Sequence, residues 1–281
     1  MGIADKVNNK KHQGTVFVCP FVSWEESVRS LLDKAGLADQ IQDRKQILIK
    51  PNLVEAIDPP VTTPVGLVAA IVAYIQEKAP GATVAMGEGT GATEYDTWHP
   101  FEKLGYIDLA RHWNLELIDL NEAPLVKRTK SHCQRWPEMY LPEIIYESYL
   151  ISVPVLKAHT LAGVTLTMKN MMGAAPPVYY QQGGHWKKAS FHVGIQEAIF
   201  DLNRYRTPDF TILDATVGMP KAHLWGPHCN PKPNKLAASF DPVAVDAYGT
   251  SLLCRQWQEI GHIRMAHGEL GIADPLCVNA I

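Results

Sequence analysis

The chain has 281 residues, of which 46% are hydrophobic and 20% are charged, and its formal net charge at pH 7 is −3. This composition is typical of a soluble globular protein, built either as one large α/β domain or as two lobes around a cleft. The small net charge argues against nucleic acid as a partner, because phosphate backbones are bound by a clear excess of basic residues. The longest apolar runs, such as residues 65–75, are far shorter than the roughly 20 residues of a membrane span, so no membrane partner is expected.

The five cysteines are far apart, and no two of them form a C-x-x-C pair. That spacing excludes a ferredoxin-type cluster segment and a zinc ribbon, and it argues against a disulfide framework. We therefore expect no intrinsic iron–sulfur cluster. Residues 1–14 are polar and have no apolar core behind their lysines, so they predict neither a secretory signal nor a transit helix, and we expect a cytoplasmic protein.

Strand and helix patterns alternate through the first half of the chain. Ser23 and Glu26 form a capping box that begins a helix, and Gly36 ends it. Thr63, as the cap, and Pro64 begin a second helix, and Gly105 interrupts a third. The predicted strands cover residues 15–19, 46–49, 82–86 and 115–120, and the predicted helices cover 24–35, 64–78 and 98–113.

Two of these strands end in polar residues. The strand over 46–49 is followed by Lys50-Pro51-Asn52, and the strand over 82–86 by Gly87-Glu88-Gly89. The glycine turn has two interpretations: a cradle that binds an anion with backbone amides, or a tight turn that exposes Glu88. Its G-x-G-x-G spacing differs from the dinucleotide fingerprint and is weak support for a Rossmann cofactor.

The second half repeats the alternation after a β-rich excursion. The excursion, residues 123–147, would join two lobes, 14–122 and 148–281, of a single domain over 1–281. Strands are predicted over 151–156, 209–213 and 235–240, the second ending in Asp214, and helices over 194–205 and after Asp241-Pro242. The long loop over 218–234 carries His223 and His228, and loops of that length are usually functional or disordered. The whole pattern predicts an α/β fold with a mostly parallel sheet flanked by helices.

Residues 151–192 concentrate the side chains that can do chemistry. A short apolar strand leads to Lys157, His159 and Thr160, and a segment rich in glycine and proline follows Lys169 and Asn170 and ends at His192. Strand ends are rigid and loops can converge on them, so these groups can meet at one point.

The same position, the end of a predicted strand, recurs elsewhere in the chain. It is occupied by Lys50, Asn52, Glu88, Lys157, His159 and Asp214. In open α/β sheets the carboxyl ends of the strands form the ligand crevice, so we expect these side chains to lie together if the strands are parallel neighbours.

Several of these segments together resemble the domain-of-unknown-function 362 family. The segments are Lys50-Pro51-Asn52-Leu53, Gly87-Glu88-Gly89, Lys157 to Asn170, His192, Asp214, and Asp241 to Asp246. The resemblance extends from about Lys50 to about Ser251. Many members of that family carry a ferredoxin segment, but this chain lacks the cysteines for one, so a redox partner protein would have to supply any cluster.

A local segment is also similar to nickel-dependent lactate racemases. The shared feature is His159 followed after nine residues by Lys169, behind an apolar strand and before a glycine-proline loop. This resemblance implies that His159 transfers protons, that Lys169 anchors a pincer nucleotide cofactor or an anion, and that His192 is a metal ligand.

Three hypotheses on function remain open. The first is an enzyme for a small anionic substrate, with His159 as acid/base, with Lys50, Lys157 and Lys169 neutralising the anion, and with Glu88 or Asp214 orienting it. Asn52, Gly87, Gly89 and Asn170 would complete the binding site. The second is a metal or cofactor carrier or maturation protein, in which His159, His192, Glu88 and Asp214 bind a divalent metal. The third is a non-catalytic partner of an iron–sulfur redox protein. Any one of these histidines could instead be structural, and Asp246 could hold the loop before its own helix through backbone amides.

Overall fold

The computed structural model describes residues 12–281. Residues 1–14, for which the sequence predicts neither a secretory signal nor a transit helix, therefore lie mostly outside the described residues. Within the described part of the chain, no helix is long and apolar enough to cross a membrane.

The centre of the molecule is a ten-stranded sheet, with a separate two-stranded sheet beside it. The strands are β1 Thr15–Pro20, β2 Gln46–Pro51, β3 Thr83–Glu88, β4 Glu116–Asp119, β5 Leu125–Thr129, β6 Glu138–Pro142, β7 Tyr149–Val153, β8 Val155–His159, β9 Gly163–Thr165, β10 Phe210–Met219, β11 Lys235–Ser239 and β12 Cys277–Ala280.

The main sheet has the strand order β12-β1-β11-β10-β7-β2-β3-β4, and β8 pairs with β10 and β9. From β10 to β4 every neighbouring pair is parallel. Strand β11 runs antiparallel to both of its neighbours. The mostly parallel sheet that the alternating pattern predicts is confirmed, and it brings the carboxyl ends of β2, β3 and β8 to one edge.

Helices cover both faces of this sheet. They are α1 Trp24–Ala35, α2 Leu37–Ile41, α3 Val65–Lys78, α4 Trp98–Lys103, α5 Tyr106–Trp113, α6 Ile144–Glu147, α7 Thr167–Asn170, α8 Pro177–Tyr180, α9 Ile195–Tyr205, α10 Pro242–Leu252 and α11 Gly261–Ala266. Alternate residues of one strand enter two different cores, because successive side chains point to opposite faces. In β2, Leu48 packs with α9 and α10 residues, whereas Ile47 and Ile49 pack with α1 and α3 residues.

Local signals set most element ends as predicted. Ser23 Oγ accepts a hydrogen bond from Glu26 N at 3.2 Å, and Gly36 ends α1 with a left-handed φ of 71°. Gly105, at φ 81°, separates α4 from α5. Asp241 caps α10 by accepting from two amides of its first turn. Thr63, in contrast, does not cap α3; its hydroxyl donates to Val153 O at 2.6 Å and joins the loop after β2 to the end of β7.

The prediction that a strand ends before Asp214 is wrong. Strand β10 continues to Met219, with an irregular register between Asp214 and Met219. The Asp214 carboxylate accepts from Thr216 N at 2.9 Å and from the Thr216 hydroxyl at 2.7 Å. Because both hydrogen bonds come from Thr216 of the same strand, the Asp214 carboxylate stabilises the irregular part of β10.

The predicted β-rich excursion contains the antiparallel pair β5 and β6. Strands from the segments before and after it join in the main sheet, where Ile49 of β2 lies opposite Ile151 of β7.

Candidate functional site

A cavity of about 600 Å³ lies at the carboxyl edge of the parallel strands. Eight residues predicted from the sequence line it: Asn52, Glu88, Gly89, Lys157, His159, Lys169, Asn170 and His192. The convergence of distant strand ends expected from the sequence is therefore present in the structure, and the roles of the individual residues stay predictions.

Three other predicted residues do not line the cavity. Lys50 is fully buried behind its wall. Gly87 lies inside β3, where a Cβ would come within 3.1 Å of the Leu120 side chain. Asp214 is buried and is bonded within β10. These three residues therefore do not contribute to the lining of the cavity.

The wall is organised around a buried ion pair between Lys50 and Glu88. Lys50 Nζ lies 2.7 Å from Glu88 Oε1, and both side chains are almost completely buried. Glu88 also accepts from Leu53 N at 3.0 Å and from Gly89 N at 2.8 Å. Burial lowers the pKa of Lys50, and the Glu88 carboxylate opposes that shift. Glu88 is thus largely committed to Lys50 and to main-chain amides, and because its side chain is buried, the glycine segment does not expose it as the tight-turn interpretation expected.

A second network joins the ends of β2, β8 and α7. Asn170 Oδ1 accepts from Asn52 Nδ2 at 3.0 Å, and Asn52 Oδ1 accepts from Lys157 Nζ at 3.0 Å. Lys157 Nζ also donates to Val61 O at 2.6 Å. Burial, together with the charge of Lys169, lowers the pKa of Lys157 to about 7. Lys157 is therefore held in place by neutral acceptors, without a carboxylate partner.

Lys169 differs from Lys157 because its ammonium has no hydrogen-bond or ion-pair partner among the described residues. Within residues 12–281 it makes no hydrogen bond and no ion pair, although it lines the cavity. Burial lowers its pKa to about 8. Its position is set by α7, whose first amides, Thr167 N and Met168 N, donate to the buried Asp246 carboxylate at 2.7 and 3.0 Å. Asp246 is therefore structural, but it caps the helix that carries Lys169 and not the loop before its own helix.

The Lys169 charge dominates the electrostatics of the cavity. After burial, it is the largest cause that lowers the pKa of His159 and of His192. It also acts on His223, whose pKa falls to about 4. A positive charge that suppresses the protonation of all three surrounding imidazoles creates a potential that favours an anion.

His159 is held as one tautomer. Its Nδ1 accepts from Leu161 N and from Ala162 N, each at 3.1 Å, so Nδ1 carries no proton and the neutral ring carries its proton on Nε2. The ring is stacked on His223, with centroids 4.1 Å apart. Burial and Lys169 hold the pKa of His159 far below its usual range. The predicted acid/base role needs an Nε2 that is free to accept a proton, and this geometry favours a neutral hydrogen-bond donor instead.

Four of the lining residues that were not predicted from the sequence are Lys188, Trp186, Leu224 and Trp225. Lys188 is buried and donates to Asn121 Oδ1 and Ala175 O, and burial lowers its pKa to about 7. Trp186 and Leu224 form an apolar part of the lining, and Trp225 follows in the same loop. Leu224 and Trp225 lie in the Gly/His-rich loop over 218–234, whose length indicated a functional or disordered segment. Trp186 and Lys188 lie within residues 151–192, but no local pattern distinguishes these two side chains.

The described residues do not contain a group of three or more His, Cys, Asp or Glu side chains that could hold a metal ion. In particular, His192 lines the cavity, whereas Asp214 lies outside it. The donor set therefore does not fit a protein-held metal by itself, and the metal-ligand role of these two residues stays a prediction.

The sequence model of the protein family called domain of unknown function DUF362 matches residues 47–251 of this chain. The chain belongs to this family. That match confirms the resemblance seen in the sequence, and it covers the cavity segments from β2 to α10.

Two further similarities place this DUF362 chain among known proteins. It is 27% identical over 250 residues to the thylakoid-associated protein sll1697 of Synechocystis sp.. The aligned residues cover 81% of this chain and 69% of that protein. Its fold is similar to that of the lactate racemase apoprotein from Thermoanaerobacterium thermosaccharolyticum, with a TM-score of 0.56 and 14% identity. That alignment covers 87% of this chain and 57% of the racemase, so this chain spans little more than half of the racemase. At this identity the likeness shows the fold alone.

Proposed function

We propose that this DUF362 protein is an enzyme that binds a small organic anion, a carboxylate or a phosphate ester, as substrate or cofactor in the cavity. The observation that carries the proposal is the Lys169 ammonium, which lines the cavity and has no partner among the described residues. A desolvated cation gains most from an anion that enters its site, because the pair interacts across a medium of low dielectric constant.

The other lining groups would orient that anion. His159 Nε2–H is the free donor of a ring whose Nδ1 is already engaged. Asn52 and Asn170 are bonded to each other, and Lys157 is bonded to Asn52, so their positions are set before a ligand arrives. Asn170 Nδ2 already donates to Lys50 O and Ser152 Oγ, so Asn170 positions Asn52 and is not itself a donor to the anion. The remaining donors of Asn52 and Lys157 are pre-organised and bind an anion without a further cost of ordering.

Lys157 and Lys169 line the cavity and can exchange a proton near neutral pH. The pKa values of Lys157 and Lys169 fall to about 7 and about 8, so a fraction of each amine is neutral in the empty cavity. An anion beside Lys169 would stabilise its charged form, so ligand binding would be accompanied by proton uptake. A neutral lysine amine could act as a general base, a role that was instead predicted from the sequence for His159.

The test compares Lys169→Met with Lys45→Met by isothermal titration calorimetry. Lys45 is exposed and lies before β2, at the end of the strand remote from Lys50. The titrants are inorganic phosphate, acetate and lactate. We expect Lys169→Met to weaken binding by about tenfold or more, since a hydrogen bond to a charged group contributes roughly 1.5–3 kcal/mol. Lys45→Met should bind as the wild type does.

Equal binding by Lys169→Met and the wild type would overturn the proposal. Mass spectrometry and elemental analysis of natively purified protein provide an independent check. A retained organic anion supports the proposal. A stoichiometric divalent metal with no anion contradicts it and favours the carrier hypothesis.

A further inference from the structure

The cavity has two chemically different parts. The polar part contains Lys157, Lys169 and Asn170. The apolar part contains Val54, Trp186 and Leu224, which also pack with Val61 and Met219 in a small hydrophobic cluster of their own. A bare carboxylate or phosphate needs only the polar part, and its volume is small beside about 600 Å³. Cavities of roughly 300–1,000 Å³ usually enclose organic molecules with a substantial apolar body.

The mouth of the cavity carries a second apolar feature. Leu161 and Trp225 both line the cavity, yet they are 56% and 74% exposed. Within the described residues, the Trp225 indole makes no hydrogen bond and stacks on no other ring. The neighbouring His223 is stacked on His159, which holds this loop over the cavity. Ligand pockets are lined mainly by apolar and aromatic side chains, and here that lining continues from the interior to the exposed Leu161 and Trp225.

We propose that the ligand is an amphiphilic anion, whose charged head lies at Lys169 and whose apolar body extends past Trp186 and Leu224 to Leu161 and Trp225. This inference rests on the proposed function and adds the class of ligand. The two exposed side chains form too small a surface for a protein partner, for which interfaces bury at least about 1,000 Å². They are suited to the outer part of a single small molecule.

The body of the ligand can be aliphatic or aromatic, and one experiment distinguishes the two. The probes are acetate, butyrate, hexanoate and octanoate, with 3-phenylpropionate as the aromatic member. Binding to the wild-type chain is measured by isothermal titration calorimetry. We expect affinity to rise along the aliphatic series by up to about fourfold for each methylene that becomes fully buried. A 3-phenylpropionate that binds more tightly than hexanoate assigns an aromatic body, and the reverse order assigns an aliphatic one; both support the proposal.

Two surface variants locate the apolar body. Trp225→Ser and Leu161→Ser should reduce the affinity for octanoate and 3-phenylpropionate by about fivefold or more and leave that for acetate unchanged. Both side chains are exposed, so neither change removes a packed core group. Val178→Ser is the matched control, because Val178 is 73% exposed and does not line the cavity.

Two outcomes overturn this inference and differ from failure of the proposed function. In the first, acetate and octanoate bind equally to the wild type. In the second, affinity rises along the series but neither mouth variant changes it. In both cases anion binding at Lys169 stands and the amphiphilic ligand is wrong. If none of the acids binds, and inorganic phosphate does not bind either, the proposed function itself fails.

Discussion

At the residue scale, the chemistry of His159 is decided by its partners. Two consecutive main-chain amides donate to Nδ1, which leaves the proton on Nε2. The sequence indicated a histidine at a strand end near lysines, and the structure places it there. The sequence could not indicate the tautomer, because the tautomer depends on how the turn after β8 closes onto the ring.

Substitution of His159 tests this arrangement. We expect His159→Ala to lower the free energy of unfolding by about 1–3 kcal/mol, because the buried amide of Ala162 loses its acceptor. His159→Asn retains an acceptor and should lose less. The measurement is urea denaturation. Nitrogen NMR of the imidazole should show a neutral ring with its proton on Nε2 at pH 6 and above.

His185→Ala is the control for this prediction. His185 is exposed and does not line the cavity, so its removal should change stability by less than about 0.5 kcal/mol. An imidazole of His159 that is protonated near pH 6.5, or a His159→Ala variant as stable as the wild type, would contradict the assignment.

At the element scale, the site depends on short segments that have no periodicity. Helix α7 has only four residues, and it is held by Asp246 of α10 across 79 and 78 residues of sequence. The turn after it passes so close to β3 that Gly173 touches the buried ion pair. A Cβ on Gly173 would lie 1.9 Å from Glu88 Oε1 and 2.5 Å from Lys50 Nζ. Only a residue without a side chain allows this approach.

Gly173→Ala should therefore displace the Lys50–Glu88 pair. We expect a loss of about 1–3 kcal/mol in the free energy of unfolding, as for other overpacked sites, and weaker anion binding because the cavity wall shifts. Gly81→Ala is the matched control: its Cβ would have no neighbour within 4 Å, and its φ is not positive. Both variants are compared by urea denaturation. A Gly173→Ala chain as stable as Gly81→Ala would show that the close approach is not maintained in solution.

At the scale of the whole molecule, the fold brings more cationic than anionic side chains to the cavity. Strand order places the ends of β2, β3 and β8 together, and with them Lys50, Lys157 and Glu88, while α7 and the loop before α9 add Lys169 and Lys188. Among the described residues that line the cavity, Glu88 carries the only carboxylate. Burial lowers the pKa of Lys157 and Lys188 to about 7 and that of Lys169 to about 8, from an ordinary 10.5. This imbalance is a property of the assembled fold.

Stability should consequently rise with pH between about 7 and 9 in the absence of an anion. In this window the unfolded chain keeps these lysines protonated, while the folded chain releases their protons. The unfolded state binds more protons, so the free energy of unfolding increases with pH. Above pH 9 the buried thiols of Cys19 and Cys133 act against this trend. Burial raises their pKa, so the folded chain keeps these protons at a pH where the unfolded chain has lost them.

Urea denaturation at pH 7, 8 and 9 measures the slope, and Lys169→Met should reduce it relative to the Lys45→Met control. Saturating anion should also reduce it, since a bound anion restores the charge of Lys169. A stability that is flat or falls across this window would contradict the lowered pKa values.

The sequence by itself determined the alternation of strands and helices, most of their ends, and the polar residues that stand at the carboxyl ends of β2, β3 and β8. Caps, glycine stops and apolar spacing act over a few residues, so they can be seen locally. Only the tertiary structure decided which of those residues line the cavity. Lys50 reaches Glu88 across 38 residues and Asn170 across 120, and such contacts leave no local pattern. They turned Lys50 and Glu88 into a buried pair, left Lys169 without a partner within residues 12–281, and brought Trp186 and Trp225 to the cavity, because burial and pairing depend on strand order and loop path.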